Sequence, residues 1–134
     1  MDLNRLSNAA LLKARFCDLP IRLQGTTVEQ RAQRVFQQIA KRGIKLTPSI
    51  WLSEEWFNPN GVSGFAIPFY LAHPRLIKLE RELMLEAEGA SELECLRILR
   101  HETGHAVDEA FQLHRTPDYR KVYGSPCLIP SLMS

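Results

Sequence analysis

The stretch Ser91-Glu92-Leu93-Glu94-Cys95-Leu96-Arg97-Ile98-Leu99-Arg100-His101-Glu102-Thr103-Gly104-His105-Ala106-Val107-Asp108-Glu109-Ala110 decides how the rest of the chain is read. Ser91 with Glu94 three residues later forms a capping box, which opens a helix by satisfying its first free N–H groups. From Glu92 to about His114 the apolar residues recur at helical spacing. Leu96, Leu99, Ala106, Val107 and Ala110 share one broad face, while His101 and His105 point roughly the other way. Cys95 falls toward the apolar side and reads as core.

His101 and His105 are four residues apart, so on a helix their imidazoles share one face, about 6 Å apart along the axis. Two neutral imidazoles at that spacing can grip one zinc ion from the same side. Glu102 adjoins the first of them and can take a proton from an attacking water and pass it to a leaving amine. The pattern therefore predicts a metal-assisted hydrolase, with His101 and His105 as zinc ligands and Glu102 as general base and acid. Gly104 lowers helix stability by about 1 kcal/mol against alanine, which suggests a packing or site reason for it. Zinc hydrolases usually have three protein ligands. Asp108, Glu109, His114 and Asp118 are the candidates for the third. Asp108, a further turn along, is better placed to orient His105 than to bind the ion, and reads equally well as a solvated helix acid. Glu109 and His114 read as surface residues.

Outward from this helix the chain is ordinary. Its 134 residues fit one domain, and 45% hydrophobic and 24% charged residues are globular values. A net charge of +2 and scattered basic residues such as Lys41-Arg42 argue against nucleic acid as a partner. Three cysteines, Cys17, Cys95 and Cys127, make a poor disulfide framework. The longest apolar stretch, near Phe65 to Ala72, is too short for a bilayer and contains Pro68. Met1 to Arg5 carries an acid and no long apolar run follows. No secretory leader and no membrane association are expected, and a reduced cytoplasmic setting follows.

Residues 4–16 read as helical and Leu19 to Leu23 as a short strand. Thr27 with Gln30 predicts a capped helix over 28–42, closed by Lys41-Arg42 and Gly43. Ile44 to Leu52 contains a strand edged at Pro48. Asn58-Pro59-Asn60-Gly61 is a turn. Phe65 to Leu71 reads as a strand placed at a sheet edge by Pro68, which is either an ordinary edge or one where an extended peptide substrate can pair. Leu76-Ile77-Lys78-Leu79 either extends the sheet or begins a helix. Trp51, Trp56 and Phe57 read as core or rim aromatics.

Several stretches together resemble a known family, the bacterial zinc-binding metallopeptidases of the HExxH type. They are Trp51-Leu52-Ser53-Glu54-Glu55-Trp56-Phe57, Ile67-Pro68-Phe69-Tyr70-Leu71-Ala72-His73-Pro74-Arg75 and Leu99-Arg100-His101-Glu102-Thr103-Gly104-His105-Ala106. Leu113-His114-Arg115 and Tyr123-Gly124 continue the likeness, which runs from about Cys17-Asp18-Leu19 to Gly124. The resemblance implies zinc on His101 and His105, catalysis by Glu102, and a peptide or protein substrate. It also implies a later acidic segment as the source of a third, carboxylate ligand. The tail from Pro126 to Ser134 does not resemble that continuation, so the domain is expected to be incomplete at its C-terminus.

The fold class expected is α+β and zincin-like: a small mixed or antiparallel sheet packed on helices, with the active-site helix near the C-terminus. Two alternatives stand beside the hydrolase. One is a non-catalytic fragment with weak or no zinc binding. The other is a structural or partner-binding domain in which the motif is fortuitous.

Overall fold

The computed structural model describes residues 2–15 and 18–112. The architecture is α+β. Four α-helices, α1 (Asn8–Lys13), α2 (Thr27–Lys41), α3 (Pro74–Met84) and α4 (Glu92–Phe111), surround a two-stranded sheet of β1 (Ser49–Ser53) and β2 (Gly64–Pro68). No helix among the described residues is long and apolar enough to cross a membrane.

The core forms where α2, α4 and β2 meet. Helix α2 contributes Val28, Ala32, Val35 and Phe36, a stripe with the 3.6-residue period. Strand β2 is buried on both faces, and Phe65 stands between Phe36 and Trp56, with ring centroids 6.4 and 6.5 Å away. Helix α4 adds Cys95, Leu96, Leu99 and Ala106. Val107 is only half-buried and Ala110 is exposed, contrary to the stripe expected from periodicity. Helix α2 ends beside Val107, where Lys41, Arg42 and Ile44 line the same groove, so the last turn of α4 runs past its packing partner.

Both long helices start with the same device. Thr26 Oγ1 accepts the Glu29 N–H at 3.1 Å, and the Glu29 carboxylate reaches back to the Gly25 N–H at 3.0 Å. Ser91 Oγ accepts the Glu94 N–H at 3.3 Å, and Glu94 reaches back to the Gly89 N–H at 2.8 Å. The box on α2 therefore sits one residue earlier than the expected Thr27 and Gln30. Of two adjacent threonines, the first has a glutamate at the third helical position, and a carboxylate accepts more strongly than an amide.

The sheet differs from the mixed or antiparallel one expected, since its two strands run parallel. Strands β1 and β2 run parallel, with Ser49 opposite Gly64 and Ser53 opposite Pro68. The turn signal at Asn58 to Gly61 does make an antiparallel return, but it joins Phe57 to Ala66 instead of β1 to β2. Ala66 exchanges both backbone bonds with Phe57, while Ser63 on the β1 side accepts from Ser49. Strand β2 is thus flanked by β1 on one side and by Phe57 on the other, not at a free edge. Pro68 is compatible with this because it is the last residue of the strand, beyond the reach of the single Phe57 bridge. Gly64 is required at the pairing site: a Cβ there would collide with the Ser49 carbonyl.

Two other expectations change. Residues 19–23 bend irregularly and form no strand, the Ile21 N–H bonding back to Leu19 O at 2.8 Å around Pro20. The expected helix over 4–16 is a 3-10 turn, Leu3–Arg5, followed by α1, which Ser7 caps. The ambiguous run 76–79 belongs to α3. His73 Nδ1 caps its first turn by accepting the Arg75 N–H, and Pro74 occupies the first helical position. Arg75 then ties the N-terminal segment to α3 by donating to Leu6 O at 3.0 Å and to Asn8 Oδ1 at 2.6 Å.

Candidate functional site

The site is built on the middle of α4. His101 is exposed and His105 half-buried. Their Nε2 atoms approach to 3.2 Å, with ring centroids 4.7 Å apart and planes at 88°. Helical spacing alone places the two Cβ atoms on one face. The rotamers then bring the two nitrogens together, not merely the two rings.

That separation is a direct test of fit. Two nitrogens each about 2.0–2.1 Å from one tetrahedral ion lie about 3.3 Å apart, and the observed 3.2 Å matches this. The spacing is compatible with two ligands of one zinc ion, and equally with a direct hydrogen bond between the two Nε2 atoms, one protonated and the other accepting. Among the described residues, no group of three His, Cys, Asp or Glu side chains could hold a metal ion. Glu109 is occupied elsewhere, since its Oε1 accepts from Gln112 Nε2 at 3.3 Å. Asp108 is half-buried, a turn beyond Gly104. His114 and Asp118, the other candidate third ligands, lie outside the described residues, as do Cys17, Cys127, Leu113-His114-Arg115 and Tyr123-Gly124.

Glu102 occupies an unusual place for a carboxylate. It is 6% exposed and sits on the buried stripe between Leu99 and Ala106, beside Thr103 at 2%. Burial pushes its carboxyl above the ordinary value, and the adjacent His105 and His101 pull it back down. A carboxylate held this way is a stronger base than one in water. Thr103 Oγ1 is also buried, without a hydrogen-bond partner among the described residues.

His101 and Glu102 both line a cleft of about 770 Å³, whose other walls include Trp56, Pro68, Tyr70 and Arg97. Strand β2 packs directly on α4 and sets one wall. Ser63 Oγ donates to Ala106 O at 3.0 Å, pinning the start of β2 to the helix one residue past His105. Gly89, at φ +84°, lets the chain pass the Trp56 indole, where an added Cβ would lie 3.1 Å from Cζ2. By contrast, Gly104 has no neighbour among the described residues within 4 Å of an added Cβ. The packing reason expected for it is not found.

The structure brings the His101 and His105 rings together, as their spacing led us to expect, and places Glu102 on the buried stripe, where it shares with His101 a cleft whose lining does not include His105. Sequence reasoning missed the acidic rim of the cleft, formed by Glu54, Glu55, Glu80, Glu86 and Glu88. A signal existed, six glutamates between positions 80 and 94, but nothing local indicated which of them face His101.

No family model, curated protein or solved structure matches the chain.

Proposed function

We propose that this chain is a zincin-like, zinc-dependent hydrolase of peptide or amide bonds. The observation that carries the reading is the 3.2 Å approach of the His101 and His105 Nε2 atoms, with His101 and Glu102 lining one cleft. The likeness of residues 51–57, 67–75 and 99–106 to the bacterial zinc-binding metallopeptidases supports it.

His101 and His105 would hold the ion through Nε2. Zinc in such a position supplies Lewis acidity, polarising a carbonyl and bringing the pKa of a water to about 7. Glu102 accepts the proton of the attacking water on a carboxylate oxygen and delivers it to the departing amine nitrogen. Its burial serves this role twice: it raises the basicity of the carboxylate and restricts the side chain to the cleft wall. The β2 wall excludes solvent from one side of the reacting bond.

A second reading is favoured by one observation, the lack of a third ligand group among the described residues. In that reading the pair binds zinc weakly and no hydrolysis follows. Zinc content after dialysis, measured together with cleavage of a mixed peptide library, separates the two. The hydrolase reading expects about one zinc per chain, lost in His101→Ala and in His105→Ala, with cleavage lost in parallel. A parent chain that keeps no more zinc than the doubly substituted one would overturn it.

A further inference from the structure

The cleft beside His101 carries a charge pattern that the reaction itself does not require. Glu54 and Glu55 come from the loop after β1, Glu80 from α3, and Glu86 and Glu88 from the segment joining α3 to α4. Against these five carboxylates, Arg97 is the single Lys or Arg among the described residues lining the cleft. The acids do not converge, because no group of three could chelate a metal ion among the described residues. Carboxylates spread around a concave surface with apolar walls act together as a field that attracts extended cations.

A second observation points the same way. Glu102 is more than nine-tenths buried, lines this cleft and has no hydrogen-bond partner among the described residues. A carboxylate that opens onto the cleft from so buried a side chain, with only His105 and His101 as charge neighbours, is stabilised by a cationic group brought near it. The field reaches into the wall as well. Tyr70 donates its hydroxyl to Glu88 O at 2.7 Å, and its phenol is pushed far above its ordinary value, first by burial and then by Glu80, Glu88, Glu94 and Glu86. Trp56, Met84 and Ile98 supply apolar surface in the same cleft, which suits the aliphatic stem of a lysine or arginine.

The geometry points to a peptide bearing lysine or arginine side chains as the ligand of this cleft, its basic side chain held by the Glu54–Glu55 loop and the Glu86–Glu88 segment while its backbone passes His101 and Glu102. This assignment of substrate class rests on the hydrolase reading for the backbone and on the rim for the side chain. A free polyamine offers the same charge without a backbone to read.

Binding tests this independently of turnover. The full chain carrying Glu102→Gln, loaded with zinc, is titrated with dye-labelled short peptides of equal length flanked by lysine or by glutamate, and anisotropy is read at low and high salt. The basic peptide should bind at least about tenfold more tightly at low salt, and the preference should shrink as salt screens the rim. Adding Glu55→Gln, Glu86→Gln and Glu88→Gln, all at exposed positions, should bring the two peptides to near parity. Removing three charges away from the cleft, by Asp2→Asn, Asp18→Asn and Glu92→Gln, should leave the preference intact.

Equal binding of the two peptides would overturn the inference. So would equal loss of preference in both triple variants, or displacement of the basic peptide by spermidine at matched charge concentration. Cleavage of neutral and basic peptides at equal rates by the parent chain would sink this inference and leave the hydrolase standing. Selective binding of the basic peptide with no cleavage by the parent chain would do the reverse.

Discussion

Helices α2 and α4 begin alike and diverge along their length. Each opens with a hydroxyl cap and a glutamate that loops back to a glycine N–H. Helix α2 then keeps a clean division, burying Val28, Ala32, Val35 and Phe36. Helix α4 keeps Cys95, Leu96 and Leu99 in its first half and then places Glu102 and Thr103 on the same buried stripe. A hydroxyl buried without a partner among the described residues, as Thr103 Oγ1 is, and a carboxylate drawn largely out of water both destabilise the folded state. Where a local rule is broken on an otherwise regular helix, the break marks the place where function outweighs stability. The contrast between the two helices thus singles out the same turns of α4 that carry the histidine pair.

The sharpest way to break this contrast is Glu102→Gln. It should lower peptide cleavage at least about a hundredfold while zinc content is unchanged. Activity surviving that change would remove Glu102 from the reaction. Next in size is Leu99→Ala, which empties a fully buried position on α4 and should destabilise by about 3 kcal/mol in urea unfolding. Glu102→Leu should go the other way. It replaces a buried acid by an apolar side chain of similar volume, and should raise the stability of the zinc-free chain by about 2 kcal/mol. If that variant is less stable than the parent, the carboxylate is better satisfied than the structure indicates.

Smaller effects sharpen the comparison further. Gly104→Ala, at an exposed helical position with open space around it, should stabilise by about 1 kcal/mol; a loss instead would reveal a constraint on that glycine. The smallest effect concerns the ion pair that joins the two helices, Arg34 Nη1 to Glu92 Oε1 at 2.8 Å. The Arg34 guanidinium, by hydrogen bond and by charge, holds the Glu92 carboxyl below its ordinary value of 4.5. The folded-state value is depressed, so the contribution is present above about pH 4.5 and disappears as pH falls through the folded value. Arg34→Gln should therefore narrow its stability gap from the parent chain on acidification, and on adding salt near neutrality.

The long helices were legible because each carries its own start signal and a stripe at helical period. The cap of α2 was misplaced by one residue because two threonines stand together and the decisive group is Glu29, not Gln30. The histidine pair was legible because four-residue spacing on a helix fixes a shared face. The burial of Glu102 was not, since the positions of β2 and α2 around α4 decide it. Helix α3 had a readable start in His73-Pro74, but Leu76-Ile77-Lys78-Leu79 taken alone suits either period. The parallel strands were hidden for a different reason. Asn58 to Gly61 is a true turn, yet nothing in its residues says which flanking segments it pairs. The acidic rim gathers residues from three separate stretches, and only the assembled fold places them around one cleft.

The parallel pairing of β1 with β2 also has a kinetic consequence. Ser49 meets Gly64 across a short connection that the Phe57 bridge itself helps to fold, whereas Arg34 meets Glu92 across 58 positions of sequence. By loop-closure scaling, the roughly fourfold longer separation adds about 1 kcal/mol of entropic cost. The strand pair is thus the piece able to assemble early, offering a template on which α2 and α4 later dock. A substitution that wrecks it, such as Gly64→Ala, should slow refolding more than it speeds unfolding.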